Sequence, residues 1–555
     1  MPRLVIVSNR VTASDSHVGR AGGLAIAMHD ALRAQGGLWF GWSGHIAAQT
    51  SESPIITMGD NVTYATLDLG QSDYDGYYLG YANSTLWPLL HFQIGLMKYH
   101  SEDFRVYQNV NDHFARVLKP LLAADDVIWV HDYHLIPLAA ALRALGVTNR
   151  IGFFLHTPFP PEGVLAALPH YDVLLRALDQ YDLVGFQTQE GQTAYESAWQ
   201  RLDAGPAHAV AGTFPIGIDT AQFSRMARRA VSSSLAHRLV ESLGGRKLVI
   251  GVDRLDYSKG IPHRLEAIDH FLDNNRDWRG KFGYLQITPH SRNEVEAYRN
   301  LRQEIDALTG RINGQYAEFD WTPIRYLNKT FSRPTLAGFY RTAAVGLVTP
   351  LRDGMNLVAK KYVAAQDPES PGCLILSSFA GAARELDAAL LVNPLDREGI
   401  ADAVLRALNM SLEERRERWE TMMEGLRSNS ILHWREAFLG RLSEPNLGDD
   451  STEDDQATES TPDQTDFFAL QQTAASHVAE LTGRQRQVME LVLAGHPSKN
   501  IAADLGISQR TVENHRASIM KKTKANSLPA LARLAFVAAW NSGGMQLSPV
   551  NLSMR

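Results

Sequence analysis

The 555-residue chain has a single cysteine, Cys373. It can form no internal disulfide, which excludes a disulfide-stapled secreted domain and suits a reducing cytoplasm. No uncharged apolar run approaches the ~20 residues that a membrane-spanning helix needs. The opening, MPRLVIVSNR, carries an apolar run of only four residues, too short for a secretory signal. Positive charge is absent from one long interval. No Lys or Arg stands between Arg441 and Arg484, where there are ten Asp and Glu. From Arg484 onward ten Lys and Arg face three acids. The net charge of −7 therefore conceals a mildly acidic body, a strongly acidic interval and a basic tail.

What is present points to several folded domains. The chain is 45% apolar and 21% charged, and too long for one hydrophobic core. Short apolar runs alternate with helical patterns: Leu4–Ser8, Val127–Val130, Ile151–Leu155, Leu183–Phe186 and Thr213–Ile218, then Leu248–Val252, Tyr284–Ile287, Val345–Val348, Cys373–Leu376 and Leu390–Val392. Such runs read as buried parallel strands. The expected fold is α/β, with two doubly wound Rossmann-like domains facing across a cleft. Residues 1–240 form the first and 241–441 the second. Residues 442–478 are an acidic, disordered linker, and 479–555 a small all-α module.

In open α/β sheets, ligand groups gather just past the strand ends. Asn9 and Arg10 follow the first run, and HDYH (131–134) and HTPFP (156–160) follow two others. Ala21-Gly22-Gly23-Leu24 opens a helix, and paired glycines allow close approach to a phosphate, or simply a turn. Trp39, Trp42, Tyr77, Tyr78 and Trp87 make an aromatic-rich early region, fit for core or for sugar C–H faces. Arg254 and Lys259 follow Leu248–Val252, as a solvated loop or as a fork and point charge on a diphosphate. The stretch VGLVTPLRDGMNLVAKKYVAAQ (345–366) is strand, tight turn and helix start. Alone it fits a structural βα turn as well as an anion or sugar site.

RLVIVSNR, AGGLA, GGLWFGWSG, IWVHDYHLIP, RIGFFLHTPFP, VDRLDYSKGIP, RINGQY and TPLRDGMNLVAK occur in order across residues 1–440. Together they resemble the trehalose-6-phosphate synthases, retaining glucosyltransferases of the GT-B type. The resemblance implies UDP-glucose as donor and glucose 6-phosphate as acceptor, with no cofactor and no metal. It implies that Arg10, Tyr78, Trp87 and Arg292 hold glucose 6-phosphate and that Asp132 binds the acceptor. Gly22 and Gly23 would contact the donor, and Arg254 and Lys259 its diphosphate. Phe331 would lie beside the base, with Leu357, Val358, Ala359, Lys360 and Lys361 lining the nucleotide. His156 would stand at the reacting centre and Asp353 would bind the donor glucose. One position departs from the family. NLVAKE becomes NLVAKK, so Lys361 replaces a glutamate that would accept hydrogen bonds from ribose. An ammonium can only donate.

The tail reads as a helix with Val488, Leu491 and Val492 inward, a second from Lys499 to Leu505, a Gly506 turn, an Ser508 cap and a helix from Gln509 to Lys522. This is a helix-turn-helix pattern, although a basic protein-binding module would share its charge. The string from LTGRQRQ to LARLA resembles LuxR/FixJ-type output domains. That implies duplex DNA as partner and a homo-oligomer. Arg510, Thr511, Asn514 and His515 are the candidates for base or near-base contacts, and Lys521, Lys522 and Lys524 for phosphate. Three functions are open. The chain is a glucosyltransferase making trehalose 6-phosphate with a regulatory DNA-binding domain, a sugar-nucleotide sensor acting as a transcription regulator, or a glucosyltransferase with another donor or acceptor.

Overall fold

Two units follow one another along the chain, Met1–Leu447 and Gly448–Arg555. The structure, a computed structural model, describes residues 2–11, 28, 29, 32, 36–59, 61–289, 296–444, 481–493, 498–523 and 531, without the side chains of Glu490, Lys499, Asn514, Ala517 and Lys521. Gly22, Gly23, Arg292, Lys524 and residues 445–480 of the acidic interval lie outside the described residues.

The first sheet holds Leu4–Arg10 (β1), Gly37–Ala47 (β2), Ile55–Gly59 (β3), Val62–Gly70 (β4), Val127–His131 (β5), Ile151–Phe154 (β6), Leu183–Phe186 (β7) and Val210–Thr213 (β8). Their spatial order is β3-β4-β2-β1-β5-β6-β7-β8. All pairs are parallel except β3–β4. The chain first builds outward from β1 to one side, then returns to lay β5 on its other side. The order therefore reverses between β1 and β5, opening a crevice at their carboxyl ends. The second sheet holds Lys247–Val252 (β9), Phe282–Ile287 (β10), Ile324–Leu327 (β11), Val345–Val348 (β12), Cys373–Ser377 (β13) and Leu390–Val392 (β14), ordered β11-β10-β9-β12-β13-β14. It reverses between β9 and β12. The central strands are buried on both faces, as their unbroken Val, Ile and Leu runs require.

One expected strand is misplaced. The sequence reading put it at Thr213–Ile218, but pairing ends at Thr213. Pro215 has no N–H for a ladder. Ile216 is held otherwise, its N–H by the Gln187 side chain and its carbonyl by Lys360.

The helix Ile431–Ser443 follows the second sheet in sequence but packs on the first. Phe438 is fully buried and stacks on Trp129 at 4.8 Å, and Trp434 meets the same ring at 4.8 Å. A methyl group at Gly152 or Gly185 would come within 2.8 or 2.7 Å of Phe438, so these glycines make the seat. A boundary drawn along the chain at residue 441 groups this helix with the second lobe, although its aromatic residues rest on the first sheet.

Among the described residues of the second unit, three helices, Gly483–Leu493, Ser498–Asp504 and Gln509–Thr523, enclose Val488, Val492, Ile501, Val512 and Ile519. Ser508 caps the third through the Thr511 N–H at 3.1 Å, and Gly506 turns with φ +62°. No helix among the described residues is long and apolar enough to cross a membrane.

Candidate active site

Both strand-order reversals carry polar loops, and the two sets of loops meet. Past β9 lies Asp253-Arg254-Leu255-Asp256, and then Lys259. Past β12 lies Arg352-Asp353-Gly354. The Lys259 ammonium donates to the Asp353 carboxylate at 2.6 Å, and Asn356 donates to the same oxygen at 3.0 Å. Burial, the largest single influence, would raise the Asp353 carboxyl, but Lys259, His91 and Asn356 together hold its pKa below the ordinary value. Asn356 takes a left-handed conformation (φ +90°, ψ 83°) and caps the helix Leu357–Ala365 through the Ala359 N–H at 3.0 Å. A non-glycine residue held there stores local strain, a pattern that clusters at functional sites.

The facing loops come from the first sheet. His156 follows β6, and its backbone N–H donates to Asp132 past β5 at 3.2 Å. Asp132 itself has φ +74°. The His156 imidazole lies between His131, at 3.1 Å from Nε2, and Gln187, at 3.3 Å from Nδ1. Burial pushes the His156 imidazole down to about 3, and burial with the neighbouring His156 pushes His131 well below its ordinary value. Both rings are neutral near pH 7. Gly354 closes the contact. A Cβ there would stand 2.1 Å from the His156 carbonyl oxygen, so only glycine lets the Asp353 loop touch the His156 loop.

Trp87 bridges the cleft. Its indole N–H reaches the buried Asp256 carboxylate at 3.4 Å, and Arg254 lies 5.6 Å over its ring. Tyr78 is presented by Tyr74–Leu86, a π-helix in which Asn83, Ser84 and Thr85 side chains donate to carbonyls five residues back, and Trp87 opens the short helix Trp87–Leu90 that directly follows it. Tyr78 stacks on His134 at 6.0 Å and packs on Trp42 at 5.5 Å. Arg10, exposed at the end of β1, lies 5.8 Å over Trp42. Arg10, Tyr78, Trp87, Asp132, His156, Arg254, Lys259 and Asp353 thus all stand at strand ends or on the helix beside them. Phe331 packs edge-on against Phe339 just ahead of the helix Arg333–Thr342.

The helix after Asn356 divides its residues. Leu357, Val358 and Lys361 share the partly open face, while Ala359 and Lys360 are buried. Lys360 therefore does not line an open nucleotide groove as the sequence reading has it. Its ammonium is paired with Glu385 and donates to the Ile216 carbonyl at 2.7 Å. Lys361 is half-buried, with no ion pair among the described residues. Burial, and then Arg333, pushes its pKa down to about 8.

Sequence reasoning flagged His131 only as one of the polar residues past a strand end, without a role, and missed Gln187, Asp256 and Asn356 as parts of the site. The strand-end rule could have found two of these. Gln187 directly follows β7, and Asp256 lies in the loop past β9. Asn356 needed the backbone, since its role rests on a left-handed φ. Among the described residues, no group of three or more His, Cys, Asp or Glu gathers as a metal site.

In the tail, Arg510 is exposed and Thr511 and His515 are half-buried. Lys522 turns back to Gln485 of the first helix at 3.0 Å, so it braces the module and is a weaker candidate for phosphate contact. The side chains of Asn514 and Lys521 lie outside the description.

Comparison with known proteins follows the same division. The family described as glycosyltransferase family 20 matches residues 3–444. Bacterial regulatory proteins of the luxR family match residues 479–535. The trehalose-6-phosphate synthase of Sinorhizobium fredii is 49% identical over 457 residues, covering 80% of this chain and 98% of the relative. The crystal structure of an alpha,alpha-trehalose-phosphate synthase (UDP-forming) from Burkholderia vietnamiensis is 46% identical with a TM-score of 0.78, covering 80% of this chain and 98% of that one. The corresponding enzyme from Burkholderia xenovorans, in complex with glucose-6-phosphate, is 46% identical with a TM-score of 0.77, covering 80% and 100%.

Proposed function

The chain belongs to glycosyltransferase family 20, and from that premise we propose that its body transfers glucose from UDP-glucose to glucose 6-phosphate, giving α,α-trehalose 6-phosphate and UDP. The observation that carries this reading is the Lys259–Asp353 pair at the reversal of the second sheet, in contact through Gly354 with the His156 loop of the first. A cation for a diphosphate and a carboxylate for sugar hydroxyls stand together at one cleft.

The described positions support the roles that follow, and those of Gly22, Gly23 and Arg292 rest on the family resemblance alone. Arg254 and Lys259 hold the diphosphate. Asp353 and the His156 side chain hold the donor glucose. Leu357, Val358 and Lys361 face the nucleotide, with Phe331 at the base and Gly22 and Gly23 at the donor. Arg10 and Arg292 take the acceptor phosphate, and Tyr78, Trp87 and Asp132 the acceptor sugar. In the transfer, the bond from glucose C1 to the phosphate oxygen breaks. The acceptor hydroxyl oxygen bonds to C1 on the same face, and its proton passes to the departing phosphate oxygen. Configuration is retained without a protein nucleophile. Arg254 and Lys259 stabilise the charge that grows on UDP, in a site arranged before the reaction starts. The reaction takes no cofactor.

The tail, residues 479–555, binds duplex DNA as a dimer and regulates transcription; DNA as partner and a phosphosugar as acceptor support a cytoplasmic location. Lys361 favours a second reading, a sensor that binds sugar nucleotide with little turnover, because a half-buried ammonium cannot accept ribose hydroxyls. Product analysis of the full chain with glucose 6-phosphate and UDP-, ADP- and GDP-glucose decides. Trehalose 6-phosphate from UDP-glucose supports the enzyme reading. Binding of nucleotide without product supports the sensor, and product from another donor alone moves the donor assignment.

A further inference from the structure

A chain of buried hydrogen bonds runs from the second lobe to His156. The Lys360 ammonium, paired with Glu385, donates to the Ile216 carbonyl at 2.7 Å. The Ile216 N–H donates to Gln187 Oε1 at 3.0 Å. Gln187 Nε2 lies 3.3 Å from His156 Nδ1, and His156 Nε2 lies 3.1 Å from His131 Nδ1. Each direction in this chain is forced. A backbone N–H can only donate, so the Gln187 oxygen must face Ile216 and its NH₂ must face His156. The Gln187 NH₂ can only donate, so His156 Nδ1 must carry the lone pair. The His156 proton is therefore on Nε2, where it points at His131 Nδ1. The reverse orientation of Gln187 would set two donors against each other at Ile216 and leave a buried group unsatisfied.

We propose that Gln187 is a positioning residue that fixes His156 as a neutral imidazole with its proton on Nε2, so that His156 meets the substrates as a hydrogen-bond donor and never as a base. The assignment rests on the reading of His156 as a group at the reacting centre. Its Nε2–H can pass from His131 to a sugar or phosphate oxygen without any proton changing owner. The charged and titratable groups around the ring agree. From β5 come His131, whose own Nε2 is buried without a partner, and Asp132, which accepts from the His156 backbone and not from the ring. From the helix Ile431–Ser443 comes the neutral Trp434, 6.1 Å away. From the β12 loop comes Asp353, already paired with Lys259. None of these supplies an acceptor to Nδ1, so the tautomer is set from the Gln187 side. Lys360, misassigned to the nucleotide by sequence, gains a role here. It anchors the residue that orients Gln187.

Nitrogen-15 NMR of histidine-labelled full-length protein reads the tautomer directly, with the His156 signal identified by its loss in His156→Asn. The expected spectrum has a pyridine-type Nδ1 and a pyrrole-type Nε2, unchanged from pH 6 to 8. A pyrrole-type Nδ1, or fast exchange between tautomers, overturns the proposal. This readout needs no turnover, so it stands apart from the failure of the enzyme reading. Gln187→Glu places a carboxylate against Nδ1 and should draw a proton there, giving the imidazole a titration within pH 6–8 and kcat a pH limb that the wild type lacks. Gln187→Leu should lower kcat at least tenfold with KM for UDP-glucose changed less than threefold. A Gln187→Glu protein with wild-type NMR behaviour and pH profile would also refute the assignment.

Discussion

The contact between the Asp353 and His156 loops gives the sharpest test of the cleft. A methyl group at Gly354 would stand 2.1 Å from the His156 carbonyl oxygen and 2.9 Å from the Thr157 carbonyl carbon. Both are main-chain atoms, so no change of rotamer relieves the overlap. The Asp353 loop must retreat by about 0.9 Å to pass from 2.1 Å to the 3.0 Å that real Cβ contacts respect. Asp353 and Lys259 move with it, away from His156. A displacement near 1 Å at a reacting centre costs about 10²-fold in rate, equivalent to about 2.7 kcal/mol of barrier. Gly354→Ala should therefore lose about two orders of magnitude in kcat, measured by UDP release with glucose 6-phosphate as acceptor. Thermal unfolding should shift little, because the contact joins two loops at the cleft and not two core elements. If Gly354→Ala turns over within about threefold of wild type, the His156 and Asp353 loops do not meet during the reaction and the reasoning fails.

Lys361→Glu should tighten UDP-glucose binding by about 1–3 kcal/mol, since a carboxylate can accept charge-assisted bonds from both ribose hydroxyls. Calorimetry showing unchanged or weaker binding would refute it. Acid should destabilise the body through buried histidines. His91 is pushed down to about 4 by burial and then by Lys259, and His131 well below its ordinary 6.5. Depressed folded-state values mean the unfolded chain takes the proton first. The stabilisation is therefore complete above pH 6.5 and is lost as pH falls toward 4, by up to about 1.4 kcal/mol per histidine per pH unit. Urea midpoints that stay level from pH 7 to 5 would contradict this. The basic tail should bind duplex DNA with a steep salt dependence, and Arg510→Ala should weaken it, while Lys522→Ala should mainly lower the melting temperature of the module. Fluorescence anisotropy across a salt series separates the two, and equal loss of DNA affinity in both variants would return Lys522 to the DNA face.

The sequence by itself determined the strands, because a strand buried on both faces needs an unbroken apolar run and little else imitates one. Val345–Val348 and Leu390–Val392 fall where the pattern puts them. It also determined where polar residues would matter, since carboxyl ends of parallel strands are open and their side chains are not needed for packing. Arg10, Asp132, His156, Arg254 and Asp353 were legible for that reason. Tail organisation was legible from the inward spacing of Val488, Val492, Val512 and Ile519. Tertiary structure alone decided which residues act together. Sequence spacing could not show that Lys360 turns inward to Glu385 and Ile216 while Lys361 stays at the open face, because a helix rotates neighbours by 100° and only the packing partner fixes the phase. Nor could it show that the helix Ile431–Ser443 returns to the first sheet, where Gly152 and Gly185 leave room for Phe438. The link from Ile216 through Gln187 to His156 joins residues 29 and 31 positions apart. No local pattern encodes it, because hydrogen-bond direction is settled only once the donors and acceptors have been brought face to face.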